Sequence, residues 1–290
     1  MMSPKVRGFL KSGVLGLWVA VGCGPDYGPP ATAASIDLYP AISPDGDWFV
    51  FSRYGADLPA ALYRARIGAL ESELLLPEEA QADWSPDGQA LVLGIGLQVY
   101  RYDLTTRVLT ELGQEGANVT PTWSPNGQTV AFASNGDNNR QPPALWLMRP
   151  DGTDQRRVPL PEPRDEMSNM DWAPGGDRLV SPSSHGLFLT DTLGQDTLRL
   201  PTQSGFQADP AWSPTGEWIA YSSAGDNYGD IWLIRPDGSD NHRLIRQAAY
   251  PAWFPDGKLL AVARPGESTQ TIWAVDLDGN LMQELTRGLE

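Results

Sequence analysis

Short runs of apolar residues that alternate with polar ones recur along residues 36–290, and each run begins just after a proline–glycine turn signal. The runs are Trp48-Phe49-Val50-Phe51, Ala90-Leu91-Val92-Leu93, Thr129-Val130-Ala131-Phe132, Leu179-Val180, Trp218-Ile219-Ala220-Tyr221 and Leu259-Leu260-Ala261-Val262. Alternation over four to eight residues is the period of a half-buried strand. A further strand follows each run: Leu62-Tyr63-Arg64, Val99-Tyr100-Arg101, Leu145-Trp146-Leu147, Leu187-Phe188-Leu189, Ile231-Trp232-Leu233 and Ile272-Trp273-Ala274. A second turn comes next, clearest in Pro150-Asp151-Gly152 and Pro236-Asp237-Gly238 and shorter in Asp278-Gly279. A last strand then ends the unit, as in Arg156-Arg157-Val158, Arg243-Leu244-Ile245 and Glu284-Leu285-Thr286. No segment carries the 3.6-residue period of a long amphipathic helix.

The turn that opens each unit is a repeated motif of the form x-W-S-P-D-G. Its prolines are Pro44, Pro86, Pro125, Pro174, Pro214 and Pro255, spaced 42, 39, 49, 40 and 41 residues apart. Its glycines are Gly46, Gly88, Gly127, Gly176, Gly216 and Gly257. Proline presets the second position of a type I turn, and glycine supplies the left-handed residue that closes it. Trp84, Trp123, Trp172, Trp212 and Trp253 fill the tryptophan position, and Ile42 stands there in the first unit. Residues that recur in every unit hold units together, so these tryptophans and glycines read as structural. A period near 40 residues with four strands per unit is the length of a propeller blade. The expected fold is all-β: a six-bladed β-propeller of four-stranded antiparallel blades. The expected blade limits are about 36–77, 78–113, 114–161, 162–202, 203–246 and 247–290. The last blade has all four strands from the C-terminal segment, so closure without strand exchange is expected, unless Ser35-Ile36-Asp37-Leu38 adds an outer strand.

Composition narrows the function classes. The chain has 290 residues, 21 basic against 36 acidic, for a net charge of −15. Such a chain repels nucleic acid. One cysteine and two histidines exclude an internal disulfide and supply too few ligands for a Cys/His zinc site. Its hydrophobic fraction of 41% with 11 tryptophans suits a packed core rather than disorder.

Residues 1–22 read as a secretory signal peptide. Lys5, Arg7 and Lys11 precede the uncharged apolar run of residues 13–22, which is short for a membrane span. The run ends in Ala20-Val21-Gly22-Cys23, with Cys23 the single cysteine. Small residues before a lone cysteine resemble the lipobox of bacterial lipoproteins, with Ala20 in place of the usual leucine. That resemblance implies cleavage before Cys23 and its acylation. Residues 23–35 would then be the lipidated cysteine and a Pro/Gly/Ala tether, and residues 36–290 the propeller. Gly24 in place of aspartate favours the outer membrane by the same resemblance. A plain signal peptide is the alternative. Cleavage would remove three basic residues and leave a net charge of −18.

The repeat itself resembles the WD-like propeller repeat of TolB and its relatives. The six turns, the apolar strand after each, and the Ile231–Ser239 segment Ile-Trp-Leu-Ile-Arg-Pro-Asp-Gly-Ser carry the resemblance over about residues 36–290. TolB is periplasmic and has an N-terminal α/β domain for which the tether leaves no room. Peptidase relatives carry a hydrolase domain that this sequence is not expected to hold. The resemblance therefore implies an envelope propeller and little about its specific role.

Function in a propeller is sought where the blades differ. The links and loops opposite the repeated turns hold the candidate binding residues: Glu79, Asp83, Glu115, Asp165, Glu166, Asp171, His185, Asp209, Arg246 and Tyr250. An acidic, merely solvated rim is the plain alternative. Two loops, Asn135-Gly136-Asp137-Asn138-Asn139 and Asp226-Asn227-Tyr228-Gly229-Asp230, offer oxygen ligands for calcium without the full EF-hand spacing. Ordinary Asx-rich turns explain them equally well. No nucleophile elbow, phosphate loop or histidine pair is present. The expected role is a non-catalytic, monomeric, lipid-anchored envelope propeller without cofactor that binds a protein or peptide. A small-ligand or carbohydrate-binding propeller, with or without calcium, and a lyase or hydrolase are the rivals.

Overall fold

The computed structural model describes residues 35–55, 59–113, 116–136, 143–160, 169–183, 185–203, 205–223, 229–266 and 269–288. The signal peptide, Cys23, the tether, Glu115, Asp165, Glu166 and most of both candidate calcium loops lie outside these residues.

The described chain is all-β, with 24 strands that fall into consecutive groups of four. The first group is β1 (Ser35–Ile42), β2 (Trp48–Gly55), β3 (Ala61–Arg66) and β4 (Ser72–Leu76). The second is β5 (Gln81–Trp84), β6 (Ala90–Ile95), β7 (Gln98–Asp103) and β8 (Leu109–Glu111), and the third is β9 (Asn118–Trp123), β10 (Val130–Ser134), β11 (Ala144–Met148) and β12 (Arg156–Arg157). The fourth is β13 (Asp171–Trp172), β14 (Arg178–Ser183), β15 (Gly186–Asp191) and β16 (Thr197–Arg199), and the fifth is β17 (Gln207–Trp212), β18 (Ile219–Ser223), β19 (Asp230–Ile234) and β20 (His242–Arg246). The sixth is β21 (Ala249–Trp253), β22 (Leu259–Pro265), β23 (Thr269–Asp276) and β24 (Leu281–Glu284). Within every group, each strand pairs antiparallel with the next. The four middle groups are separate four-stranded sheets, and the first and last merge into one eight-stranded sheet.

The merger is a two-residue parallel ladder, Ser35 to Thr269 and Ile36 to Gln270. Thus β1 is the first strand of its own group, while its leading residues also extend the edge of β23. Beside this seam lies a buried ion pair. Arg53 donates from Nε to Asp37 Oδ1 at 2.6 Å and from Nη2 to Asp37 Oδ2 at 2.8 Å. Arg53 Nη2 also reaches the Arg287 carbonyl at 3.2 Å, and its guanidinium lies over Phe51 and Tyr63. Burial nonetheless holds the Asp37 carboxyl above its ordinary range.

The repeated turns form a closed circle. Gly46 faces Pro255, Gly88 faces Pro44, Gly127 faces Pro86, Gly176 faces Pro125, Gly216 faces Pro174, and Gly257 faces Thr215. A Cβ on Gly46 would meet the Pro255 ring at an ordinary contact distance of 3.6 Å, so it is the left-handed turn conformation, φ +74, that favours glycine there. The turn serine adds a local brace. Ser85 Oγ accepts from Ala90 N at 2.9 Å and donates to Asp87 at 2.6 Å. Ser43, Ser124 and Ser213 make the same bond to the backbone five residues on. Ala173 and Phe254 replace serine in the fourth and sixth units and lack it.

The core lies between the groups. Val50 and Leu62 pack with Trp84 and Leu91, Val92 with Trp123 and Phe132, and Leu145 with Trp172. Leu187 packs with Trp212, Ile231 with Trp253, and Phe254 with Phe49 and Phe51. The last of these junctions brings the sixth group against the first. Blade-on-blade burial of this kind, with no core inside a single sheet, is what makes the fold cooperative.

Candidate functional site

The first strand of each group lines a central cavity of about 290 Å³. Counting back five residues from each turn proline gives Tyr39, Gln81, Thr120, Asn169, Asp209 and Tyr250. All six line the cavity and all six are half-buried. One repeat position thus supplies a ring of unlike side chains, whereas the tryptophan position three residues on is nearly constant.

The backbone at this ring is unusual. Tyr39, Thr120, Asn169, Asp209 and Tyr250 have φ between 30 and 56. In β1, β9, β17 and β21 the residue coincides with a break in strand register and precedes a proline. The left-handed region is costly for such residues and the residue before proline favours extended backbone, so each position stores roughly 1–3 kcal/mol of strain. The effect of each bulge is to re-aim a side chain. Gln81, in the second unit, sits in an unbroken register.

Neighbours in the ring touch. The Tyr39 and Tyr250 rings lie 4.4 Å apart at 58°. The Tyr39 hydroxyl hydrogen-bonds with Tyr250 and Gln81, and burial with the nearby Asp209 charge pushes it up to about 12. Asn169 Nδ2 donates to Asp209 Oδ1. Burial pushes the Asp209 carboxyl up to about 6, against hydrogen bonds from Asn169 and Ser222 that pull it down. Thr120 Oγ1 is buried without a hydrogen-bond partner. At the edge of this cluster Tyr54 donates its hydroxyl proton to Glu79.

Two further carboxylates line the cavity and act as clamps between groups. Asp83 Oδ1 accepts from Trp84 N at 2.9 Å, and its Oδ2 accepts from Trp123 N at 2.7 Å and Thr122 Oγ1 at 3.0 Å. Asp171 repeats the arrangement with Trp172 N at 2.8 Å and Trp212 N at 2.6 Å. Burial pushes Asp83 up to about 6; burial and the Asp83 charge push Asp171 up to about 7. The junctions alternate. Where no carboxylate clamps, the indole reaches back instead: Trp84 Nε1 to the Ala41 carbonyl at 3.0 Å, Trp172 to Thr122 at 3.4 Å, and Trp253 to Ala211 at 2.9 Å. Where Asp83 or Asp171 clamps, the indoles of Trp123 and Trp212 have no partner.

These positions change the picture of a solvated acidic rim. Asp83, Asp171, Asp209 and Tyr250 sit in cavity-lining strands β5, β13, β17 and β21 rather than in exposed links, because the repeat turns the chain inward before each motif. Asp83 and Asp171 are engaged in holding blades together. His185 is exposed in the β14–β15 turn and Arg246 is exposed at the end of β20; neither lines the cavity. Sequence reasoning missed Tyr39, Gln81, Thr120 and Asn169. Aligning the six motifs on proline and reading five residues upstream would have found them. Trp48 and Trp218 share one repeat position and are half-buried: Arg64 covers Trp48, while Arg235 and His242 cover Trp218. Among the described residues no group of three or more His, Cys, Asp or Glu is placed to hold a metal ion.

No family model matches the chain. An uncharacterized protein of Agrobacterium fabrum is 30% identical over 162 residues, covering 48% of this chain and 52% of that protein. The chain thus spans about half the length of the curated relative it matches. Among solved structures, a putative TolB from Agrobacterium tumefaciens is similar with a TM-score of 0.65 and 21% identity, covering 76% of this chain and 85% of that one. TolB from Acinetobacter baumannii has a TM-score of 0.65 at 17% identity, covering 87% and 63%. An oligogalacturonate lyase in complex with manganese follows at a TM-score of 0.56 and 16% identity, covering 84% and 90%. What the chain shares with these structures is the fold, a TolB-like β-propeller of four-stranded antiparallel blades.

Proposed function

We propose that this chain is a non-catalytic binding propeller of the bacterial envelope, anchored through lipidated Cys23, whose central cavity is the docking point for a protein or peptide partner. The observation that carries the reading is the ring at Tyr39, Gln81, Thr120, Asn169, Asp209 and Tyr250. At this inward-facing position six near-copies of a unit present differing side chains, all half-buried and five of them on left-handed backbone. Tyrosine, amide and carboxylate groups around a rigid opening suit recognition of a polar chain. The two histidines, His185 and His242, lie outside the cavity lining, which supports binding over acid–base chemistry there.

The first and last four-stranded groups count in this reading as separate blades, six about the axis. The contact of Gly46 with Pro255 and the packing of Phe254 on Phe49 and Phe51 support that count. Residues 1–22 are the cleaved signal, 23–35 the lipidated tether, and 36–290 the propeller. Envelope placement rests on this N-terminal pattern and on the likeness in fold to TolB.

The test is capture from envelope extract by the full-length protein and by Gln81→Trp, which fills the cavity mouth from the unstrained strand β5. Partners retained by the wild type and lost by a folded Gln81→Trp support the reading. Equal capture by both overturns it. Cys23→Ser tests the anchor separately: release from membranes with loss of the lipid mass supports it, and unchanged retention and mass overturn it.

A further inference from the structure

The cavity holds three aspartates, Asp83, Asp171 and Asp209, and none of its lining residues is lysine, arginine or histidine. Among the described residues none of the three takes part in an ion pair. The contrast with Asp37 is direct, since that buried carboxylate has Arg53 against both oxygens. Asp83 and Asp171 have their oxygens committed to backbone N–H groups of the clamps. Asp209 accepts from neutral partners only, Asn169 and Ser222. Beside it stand two tyrosine rings in contact, Tyr39 and Tyr250. A half-buried carboxylate without a counter-charge, next to aromatic faces, creates negative potential that low-dielectric walls focus into the opening.

We infer that the cavity recognises a cationic nitrogen on its ligand, an ammonium or guanidinium, seated against Tyr39 and Tyr250 with Asp209 as counter-ion. Aromatic faces attract such cations through the ring quadrupole, and more so out of water. The carboxylate adds a charge-assisted hydrogen bond. A bare metal ion fits less well, because no three acids converge on one point among the described residues. The cation is carried on a lysine or arginine side chain of a peptide, or on a free amine of similar size. This inference rests on the cavity being the docking point.

Calorimetric titration of the full-length protein at pH 7.5 tests it, with Gly-Lys-Gly, Gly-Arg-Gly and Gly-Gln-Gly peptides capped at both ends, and with cadaverine. The lysine or arginine peptide should bind at least tenfold more tightly than the glutamine peptide. Asp209→Asn, which keeps an acceptor for Asn169, should erase that preference while the melting midpoint moves little. Glu217→Gln, at an exposed position outside the cavity lining, is the control for lowering the overall charge and should retain the preference. Binding of cadaverine as tight as the peptides assigns the site to free amines; weaker binding assigns it to peptide side chains. Equal binding of all three peptides, binding of none, or preference surviving Asp209→Asn overturns the inference. If it fails while Gln81→Trp still abolishes envelope capture, the docking point stands and only its charge selectivity is wrong.

Discussion

The turn circle and the cavity ring are built from the same six motifs, only five residues apart along the chain, and they follow opposite rules. At the circle, proline, glycine and tryptophan repeat nearly without change, each touching the unit before it. At the ring, the six units supply Tyr39, Gln81, Thr120, Asn169, Asp209 and Tyr250, and five of these sit at positive φ. Repetition marks positions whose neighbours are other copies of the unit. Variation marks positions that face the central cavity, where neighbouring copies meet through unlike side chains and only part of each side chain is covered.

Substitutions can break this contrast, beginning where the effect is largest. Trp172→Ala in the constant column should cost about 3–5 kcal/mol, because it empties the junction between the third and fourth units. Denaturant unfolding would read the loss, and a change under 1 kcal/mol would mean the column is not what joins the units. Asp171→Ala comes next. It leaves the amides of Trp172 and Trp212 without their acceptor and should cost about 1–3 kcal/mol at pH 5.

The same carboxylates give a pH signature. Asp83, Asp171 and Asp209 are pushed up to about 6, 7 and 6 from 3.8, so the folded state holds protons that the unfolded chain has released. Their stabilising effect is full below about pH 4 and is lost as pH rises through 6 to 7. The melting midpoint should therefore fall between pH 5 and pH 8, and fall less in Asp171→Asn; a wild-type midpoint that rises over this range would contradict the assignment. Aspartates braced in exposed turns, such as Asp87 and Asp151, are held below their ordinary range and act in the opposite sense only under more acid conditions.

Smaller still, Ser85→Ala should cost about 1 kcal/mol through loss of the turn brace. Gln81→Ala removes a hydrogen bond to the Tyr39 hydroxyl and should cost about 0.5 kcal/mol, less than Ser85→Ala, while weakening partner capture. If Gln81→Ala proves as destabilising as Ser85→Ala, the ring is part of the scaffold and the contrast between the two regions dissolves.

The strands and turns were legible because a period-2 pattern and Pro–Gly punctuation are local properties. Trp48-Phe49-Val50-Phe51 announces a strand whatever surrounds it, and it is one. The ring was legible at two of its six positions: Asp209 and Tyr250 stood out as chemically active side chains, whereas Tyr39 and Thr120 sit in stretches that carry no motif of their own. Their φ values are set by packing around the axis, which no local window contains. The aligned prolines at Pro40, Pro121, Pro210 and Pro251 were the available trace. Asp83 and Asp171 misled for a related reason. A carboxylate one residue before a tryptophan looks the same in sequence whether it meets water or the amide of the next blade.

The seam sets a kinetic order on the whole molecule. Arg53 and the Arg287 carbonyl that it reaches are 234 residues apart in the chain, and the parallel ladder from Ser35 and Ile36 spans the same separation. During synthesis the first four strands therefore wait, with Phe49 and Phe51 uncovered, until the last unit has emerged. Contacts this distant close slowly, and exposed apolar strands invite association in the interval. Arg53→Met should show this as slower refolding and more aggregate at high protein concentration, beyond any change in the final stability.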